Sequence, residues 1–456
     1  MNTHTVFQNH RSFRKLLAVL LLTISIVSIC ASPARVVIGS ASIESIVVLD
    51  PTTAPMLFGT SQVMNNGPGD QLDAHVDCDL AAYVDIDFVL GFQWIRYFDF
   101  TTNTDHLVPG NGLDHLPDVL GSTIAFTEGR VGGPVIVLFD TVSQSQTVVP
   151  GSWNMHPQLG GNLVVYEDFS SSSNHDPSES EISMYDRSTN TVTRLTNDPL
   201  SDRSPVVSPT GNAIVWEKCQ TNGLGCDIYS AIQTAPGIFT TTALSATTGE
   251  DLWPDTNGEI VVYHSNRDGE FDVYFQPVGG GVEMRLTIPG DQRDTRISGN
   301  LIAFESFMPD TRQYDVFVYD RTSAKLYRVT NTPVNEALTK VSICNGVGRI
   351  VYSAPAIDFD VFAFTFQPPT ATENEIEDLI ELVRSFDLPN GTENSLVTKL
   401  EDALTALEAS DTATACVHLS AFISECQAQS GKKLTADQAN QLINSATQIK
   451  TELGCL

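Results

Sequence analysis

One segment of the sequence, Asp251 to Thr287, recurs in altered form along most of the chain. It contains two short apolar runs, Glu259–Tyr263 and Phe271–Phe275, separated by a polar Ser-Asn-Arg-Asp-Gly turn. A third run, Glu283–Thr287, follows a glycine-rich reversal. Runs of this length and composition form strands, and the turns between them are short enough for hairpins. The segment is therefore one repeat unit of three to four antiparallel strands.

The period of this repeat limits the possible folds. An aromatic residue, which we call the anchor, closes the first strong strand of each unit, and successive anchors lie 40 to 50 residues apart. The anchors are Tyr83, Phe126, Tyr166, Trp216, Tyr263, Phe304 and Tyr352. That period is typical of the four-stranded blades of a β-propeller. We predict an all-β propeller of seven blades, with six as the alternative because the first two units lack the turn motifs of the others.

The last unit is short of one strand. It stops after Phe359–Phe366 and has no outer strand of its own. A closing propeller has to cover such an unpaired edge, and Met56–Asn65 ends like the outer strands of the other units. We predict that this segment completes the last blade. The propeller then covers residues 56–367, and residues 35–55 form a separate N-terminal segment.

The pattern changes beyond the propeller. Residues 368–372, Pro-Pro-Thr-Ala-Thr, indicate a linker. After them, the period of the apolar residues changes from that of strands to that of amphipathic helices in four successive segments. Asn390-Gly391 and Ser430-Gly431 separate segments, and Thr435–Gln438 has the form of a capping box. We predict a small all-α bundle of four helices over residues 373–456.

Three motifs in the repeats resemble a known family. Ser265–Tyr274 has the form S-N-R-D-G-x-x-D-V-Y, Ser208–Gly211 the form S-P-x-G, and Arg194–Asn197 reads R-L-T-N. These motifs resemble the TolB-type propeller repeat. The resemblance implies a protein-binding platform in the cell envelope. Some relatives are enzymes, including oligogalacturonate lyases and prolyl peptidases that carry an added hydrolase domain.

The helical tail resembles a second family. The stretch from Leu379 to Thr435, together with the Leu-Gly-Cys at residues 453–455, is similar to the FIMAH domain found at the ends of secreted prokaryotic proteins. The resemblance implies that Cys416 and Cys455 pair. It also implies that Cys426 fills a core position usually held by an aliphatic residue, and that the tail is an accessory or surface-associated interaction module.

The first 34 residues have the features of an export signal peptide. Arg11, Arg14 and Lys15 precede the apolar run Leu16–Cys30, which is shorter than the roughly 20 residues that a spanning helix needs. Small residues follow it. We predict that residues 1–34 are removed and that the protein is secreted, displayed on the cell surface or periplasmic. A retained anchor and lipid attachment are the alternatives, and no other segment is apolar enough to cross a bilayer.

Cysteine usage agrees with export, since disulfides persist outside the cytoplasm. Cys219 and Cys226 flank a turn between two neighbouring strands of one blade, so we predict that they pair. Cys78 and Cys344 hold similar places in the first and last units. These two units become neighbours if the ring closes, and a disulfide between them is then expected.

The net charge of the chain and the absence of common catalytic motifs limit the possible functions. The net charge of -30, from 25 basic and 55 acidic residues, argues against nucleic-acid binding, because few cations are present to displace phosphate counterions. The chain has no G-x-S-x-G, H-E-x-x-H, P-loop or Rossmann motif, and its tail is too short for a hydrolase domain. We predict a non-catalytic binding or scaffold protein without a cofactor. Its partner would be an envelope or extracellular protein or a glycan.

The candidate site lies about ten residues before each anchor, where the innermost strand of a blade begins and faces the central channel. The residues there are Asp73, His75, His115, His156, Arg203, Trp253, Arg296 and Lys340. Trp253 is the one large aromatic residue among them and is the favoured ligand contact.

An enzyme is the alternative function. His75, His115 and His156 come from consecutive units, and imidazoles suit transition metals. The lyases that the repeat resembles use a channel metal. The alternative is therefore a lyase or hydrolase that acts on a polysaccharide or related polymer with a divalent metal ion in the channel.

Overall fold

The computed structural model describes residues 45–172, 175–220, 223–356 and 358–455. The predicted export signal, residues 1–34, and the first part of the predicted segment 35–55 lie outside these ranges. No helix within the described ranges combines the length and the apolar character that crossing a bilayer requires.

The repeats form seven separate antiparallel sheets, as predicted. Two strands precede them, β1 (Ser45–Val48) and β2 (Gly59–Asn65). Blades 1 to 3 consist of β3 (Asp70–Asp77), β4 (Leu80–Asp87), β5 (Phe92–Asp99), β6 (Thr104–Leu107); β7 (Asp114–Leu120), β8 (Thr123–Glu128), β9 (Val135–Asp140), β10 (Ser145–Val148); and β11 (Asn154–Gly160), β12 (Leu163–Asp168), β13 (Glu181–Asp186), β14 (Thr191–Arg194).

The other four sheets follow the same order. Blades 4 to 6 consist of β15 (Ser201–Val207), β16 (Ala213–Cys219), β17 (Asp227–Ala235), β18 (Ile238–Ala243); β19 (Asp251–Thr256), β20 (Ile260–Ser265), β21 (Asp272–Pro277), β22 (Met284–Thr287); and β23 (Gln292–Ser298), β24 (Leu301–Met308), β25 (Gln313–Asp320), β26 (Lys325–Arg328). Blade 7 contains β27 (Ala337–Cys344), β28 (Val347–Pro355) and β29 (Phe359–Phe366). In every blade the first strand is innermost.

The anchors hold neighbouring blades together. All seven are at most 5% exposed, because each packs in an apolar cluster with residues of the preceding blade. Trp216 of blade 4, for example, packs with Val165 of blade 3. Tyr83 of blade 1 packs with Val351 of blade 7, so the ring is closed. A side chain buried between two sheets has to be large and apolar, which explains why an aromatic residue marks the repeat.

The N-terminal segment crosses the outer edges of three blades. As predicted, β2 pairs antiparallel with β29 and completes blade 7. The sequence did not predict that β1 would pair parallel with β22, which makes blade 5 five-stranded. Between these strands, the Leu57 N–H donates to the Arg328 carbonyl of blade 6 at 2.7 Å. We call residues 45–65 the strap, because they cover edges that would otherwise expose unpaired backbone groups.

Three disulfides lie within the part of the chain that the structure describes, and all three are predicted pairs. They are Cys78–Cys344, Cys219–Cys226 and Cys416–Cys455. The first joins blades 1 and 7, the second lies within blade 4, and the third ties the last residues to a helix. Cys426 is a free, fully buried thiol in the helical core, as expected.

Four helices follow the propeller. They are α1 (Ala371–Ser385), α2 (Asn390–Glu408), α3 (Thr412–Gln429) and α4 (Ala436–Glu452). The predicted capping box at Thr435 and Gln438 is present. A second one, at Thr370 and Glu373, starts α1 inside the predicted linker. The bundle packs against blade 6, where Tyr327 of β26 donates to Asn374 Oδ1 at 2.5 Å.

The disulfide between blades 1 and 7 should contribute more stability than the one within blade 4. It closes a loop with a sequence separation of 266 residues against 7, and the chain-entropy contribution rises with loop length, to about 5.6 against about 2.4 kcal/mol. The pair C78S/C344S should therefore lower the guanidinium midpoint about twice as much as C219S/C226S. Equal shifts would show that the link between the first and last blades does not constrain the ring.

Candidate functional site

Every innermost strand carries a β-bulge, which lies opposite the anchor in blades 1 to 6 and directly beside it in blade 7. The pairing between the first and second strands slips by one extra residue in all seven blades. In blades 1 to 6 the bulge contains a left-handed residue other than glycine, with φ between 50° and 58°. These residues are Asp73, Leu116, His156, Ser204, Trp253 and Asp294. Bulges re-aim side chains and occur often beside functional sites.

Side chains of the preceding blade hold several of these bulges. The Ser204 N–H donates to Glu167 Oε1 at 2.7 Å, and the Trp253 N–H donates to Glu217 Oε1 at 2.8 Å. In blade 3 the acceptor is Thr127 Oγ1, at 3.2 Å from the His156 nitrogen. Each acceptor directly follows an anchor in the sequence. The repeat therefore encodes a hydrogen bond from one blade to the bulge of the next.

The buried carboxylates in this arrangement also pair with cations of their own blade. Arg203 Nε donates to Glu217 Oε2 at 2.8 Å, and Arg293 Nε donates to Glu305 Oε2 at 2.9 Å. Burial raises the pKa of Glu217 even so, and burial with the nearby Asp294 raises the pKa of Glu305 well above its ordinary value. Burial also disfavours the charged form of Glu167, but His156 and the Ser204 N–H keep the pKa of this carboxyl below its ordinary value.

The eight predicted site residues occupy three different registers of the bulge. The left-handed position itself holds Asp73, His156 and Trp253. His115 and Arg203 come directly before it. His75, Arg296 and Lys340 come directly after the bulge. The left-handed residue lies ten residues before the anchor in blades 1, 2, 3, 5 and 6 and twelve before it in blade 4, so a spacing of only about ten does not separate it from its neighbours.

The three histidines consequently have different surroundings. His75 Nδ1 lies 2.8 Å from Asp118 Oδ1, and His156 Nδ1 lies 3.2 Å from Glu167 Oε1. His115 Nδ1 donates to the Leu113 carbonyl at 3.3 Å. Burial lowers the pKa of His115 to about 4, so it is neutral at pH 7. Burial opposes the charge on His156 as well, but Glu167 raises its pKa above the ordinary value.

The metal assignment of these histidines stays a prediction. Within the described ranges, one group of three candidate ligands has its donor atoms within 4.8 Å of one another, and it consists of Glu217, Cys219 and Cys226. The two cysteines are bonded to each other, so their sulfurs are not thiolates. The predicted ligands His75, His115 and His156 are not in that group.

An ion pair joins two blades that are not neighbours in the ring. Lys340 Nζ of blade 7 lies 3.1 Å from Asp255 Oδ1 of blade 5, on the far side of blade 6. The other oxygen of Asp255 accepts the Ile297 N–H at 3.0 Å. Asp118 is arranged in the same way, since it accepts the Leu159 N–H at 2.7 Å and contacts His75. Lys340 and His75 therefore contribute to holding the ring, rather than standing as isolated charges.

A group of exposed apolar side chains borders the channel mouth on blades 1 and 2. We call it the apolar ridge, and it consists of Phe88, Val89, Leu90, Phe92, Leu113 and Val131. The ridge lies on the face where the innermost strands begin, because the hairpin between the second and third strands ends on that face. Val89 is 93% exposed at the tip. The ridge was not predicted from the sequence, although the run Phe-Val-Leu stands where other units have a polar turn.

Backbone hydrogen bonds fix the ridge to the channel wall. Asp87 Oδ1 accepts the N–H groups of Val89 and Leu90 at 2.8 and 2.9 Å, which shapes the hairpin tip. The Gln93 N–H donates to the Gly112 carbonyl at 2.9 Å and joins the hairpin to blade 2. The next residue of blade 2, Leu113, accepts the hydrogen bond from His115 in the channel wall. The ridge is therefore tied by hydrogen bonds to the innermost strand of blade 2.

Aromatic side chains continue this surface on blade 3. Trp153 stacks on His175 with a centroid distance of 3.8 Å and an interplanar angle of 7°. His175 belongs to the loop between β12 and β13, and its Nδ1 donates to the Phe169 carbonyl at 3.0 Å. Gly133 of blade 2 lies so close to Trp153 that a Cβ atom there would be 2.6 Å from the indole. The loop therefore adds an ordered aromatic stack beside blade 2.

Comparison with known proteins supports the fold. No protein-family model and no curated protein matches the chain. The Pyrococcus horikoshii acylaminoacyl peptidase is 12% identical with a TM-score of 0.50, over 65% of this chain and 52% of that one. The β-propeller domain of the Trilobed protease from Pyrococcus furiosus is 12% identical with a TM-score of 0.49, over 65% and 94%. TolB from Acinetobacter baumannii is 17% identical with a TM-score of 0.36, over 63% and 80%. The likeness to the acylaminoacyl peptidase shows the propeller fold alone, and this chain spans about half of that protein's length.

Removing one carboxylate that links two blades should lower the stability of the fold. Glu217→Ala removes the acceptor of the Trp253 N–H and the partner of Arg203, so the free energy of unfolding should fall by roughly 3 kcal/mol. Urea denaturation measures the change. Glu259→Ala, at an exposed turn, is the matched control and should lie within about 0.5 kcal/mol of the parent. A change no larger at Glu217 than at Glu259 would contradict the role given to this carboxylate.

Proposed function

We propose that this protein is an exported, non-catalytic binding or scaffold protein whose propeller holds a partner at the channel mouth. The apolar ridge carries the proposal. Proteins rarely expose large contiguous apolar patches unless the patch binds something. The ridge stands on fixed backbone of blades 1 and 2, so its side chains are displayed without a large loss of conformational freedom on binding.

The chemistry of the mouth favours a protein partner. Phe88, Val89 and Leu90 would each gain about 1.5 to 3 kcal/mol if a partner covered them fully, before the cost of association is subtracted. Aliphatic tips suit the apolar side chains of a protein better than the hydroxyl-rich faces of a glycan. Asp73 and the net charge of -30 favour a partner with cationic groups near the mouth.

Trp253 is the proposed contact inside the mouth. Its backbone is fixed by Glu217, and its side chain is only partly buried. A tryptophan whose backbone is already ordered loses little entropy when a ligand packs on its ring. This supports the sequence-based choice of Trp253 over the turn at residues 266–269.

Export and the role of the tail belong to the same proposal. Three disulfides favour an oxidising compartment, which supports a secreted, cell-surface or periplasmic location. The predicted pairing of Cys416 with Cys455 agrees with the FIMAH resemblance. We propose that the tail is a FIMAH-like accessory module that adds a second binding surface to the propeller.

The alternative is a channel-metal-dependent lyase or hydrolase acting on a polysaccharide or a related polymer. It requires His75, His115 and His156 to reach one ion, and their three registers give it less support than the ridge gives to binding. Metal content of the purified full chain separates the two functions. Stoichiometric metal that is lost in the triple variant H75A/H115A/H156A would favour the enzyme.

Acidic substitutions on the ridge should abolish partner binding without unfolding the protein. A photo-crosslinking residue at Val89 of the exported full chain should capture a defined protein. Val89→Asp together with Val131→Asp should then weaken binding of that protein at least tenfold, because a desolvated carboxylate opposes burial. The melting temperature should not change, since both side chains are exposed.

Val142 provides the control for this experiment. It is 83% exposed but lies in a turn between the third and fourth strands, on the opposite face. Val142→Asp should leave the affinity unchanged. Equal crosslinking at Val142 and Val89, or unchanged affinity of the ridge variant, would refute the proposed surface.

A further inference from the structure

A groove of about 270 Å³ separates the helical bundle from the strap and blade 7. Strap residues 56–60 form one wall, and α1 and α2 form the other. Its base is apolar, since Leu57 and Phe366 are 5% and 3% exposed. Met56 and Phe58 stand at its rim with 52% and 54% of their surface exposed. The side chains of Met56 and Phe58 are therefore about half exposed to solvent beside this cavity.

Three carboxylates line the opposite wall of this groove, Glu373, Glu377 and Glu408. Glu377 Oε2 is 3.1 Å from Lys325 Nζ and 2.9 Å from the Tyr327 hydroxyl, so it has partners from blade 6. Glu373 Oε2 accepts the Thr370 N–H at 2.7 Å.

Glu408 differs from the other two carboxylates. It is the last residue of α2, where the helix dipole disfavours negative charge. Burial and the charges of Glu373 and Glu377 raise the pKa of Glu408 to about 7. A cation placed between these carboxylates would relieve their repulsion.

We propose that this groove binds a segment of a partner protein that presents a lysine or arginine side chain beside an apolar one. The cation would lie against Glu408 and Glu373, and the apolar neighbour would cover Met56 and Phe58. The volume suits one or two side chains, and the charge complements the rim. This site is separate from the channel mouth and does not depend on the function proposed there.

The arrangement favours an organic cation over a metal ion. The three carboxylates are not among the described groups whose ligand atoms lie within 4.8 Å of one another, so they do not form a compact metal cage. A second copy of the chain is disfavoured as the occupant, since two chains of net charge -30 repel each other. A flexible side chain with a terminal charge can reach carboxylates spread along a groove.

Binding should depend on pH in a defined direction. The charged groups that face Glu408 are Glu373 and Glu377 of α1, with Lys325 and Tyr327 of β26 behind them. Because Glu408 has to be ionised to pair with a cation, affinity should rise with pH through about 7 and fall below it. The ligand lysine stays charged throughout this range.

Capped tripeptides test the site on the full chain. The probes are Ac-Leu-Lys-Phe-NH2 and its counterparts with norleucine or glutamate in the central position, with titration calorimetry as the measurement. The lysine peptide should bind at least tenfold more tightly than the other two. Glu408→Gln should lower its affinity about tenfold, and M56S/F58S should lower it by a similar factor.

Two controls make the outcome decisive. Glu401→Gln changes an exposed carboxylate on the same helix, outside the groove, and should leave affinity unchanged. V89D/V131D should also leave it unchanged, so failure here is distinct from failure at the ridge. Equal binding of the three peptides, unchanged affinity in Glu408→Gln, or calcium chloride binding that depends on Glu408 while the lysine peptide does not bind would overturn the proposal.

Discussion

The hydrogen bond from a side chain of one blade to the bulged backbone of the next is the interaction on which the channel mouth depends. A left-handed residue other than glycine costs about 1 to 3 kcal/mol unless its surroundings compensate. A buried carboxylate such as Glu217 or Glu167 makes two contacts that offset this cost. It accepts the bulge N–H of the next blade, and it pairs with a cationic side chain of its own blade. Charge-assisted hydrogen bonds of this kind are about twice as strong as neutral ones.

This interaction also explains the order of the ring. Apolar contacts of the anchors bring neighbouring sheets together, but they are not directional. The hydrogen bonds fix the angle and height of each innermost strand relative to the next, which places Trp253 and His156 at the mouth. The strap then covers the outer edges of blades 5 to 7, and the disulfide between Cys78 and Cys344 joins the ends of the innermost strands of blades 1 and 7.

Most of the fold was predictable because its signals are local and repeated. The anchors, the missing outer strand of blade 7 and the two cysteine pairs of the propeller each follow from position within a repeat, whereas the pair Cys416–Cys455 was implied by the FIMAH resemblance. The partner of β1 was not predictable, because four residues of an apolar run do not specify which edge they cover. His75, His115 and His156 lie eight, eleven and ten residues before their anchors, so a spacing of about ten grouped them, whereas they lie after, before and at the left-handed residue of their bulges.

The candidate site was only partly predictable. Spacing led to the innermost strands, where Trp253 and Asp73 do lie at the bulge. The ridge was missed because an apolar hairpin tip such as Phe88–Leu90 is recognisable only when the strands on either side are known to end at the mouth. The groove beside Glu408 could not be predicted from the sequence, because its walls come from the strap, blade 7 and two helices that are distant from one another in the chain.

Amide hydrogen exchange at Ser204 and Trp253 tests the central claim most directly. If the carboxylates of Glu167 and Glu217 hold the bulges, both amides should exchange about as slowly as the central strands of the blades, near the limit of global unfolding. The variant Glu217→Ala should accelerate exchange at Trp253 and leave Ser204 unchanged. Exchange at both amides as fast as in the exposed turn at residues 266–269 would contradict the account, because the bulges would then be held by something other than the neighbouring blade.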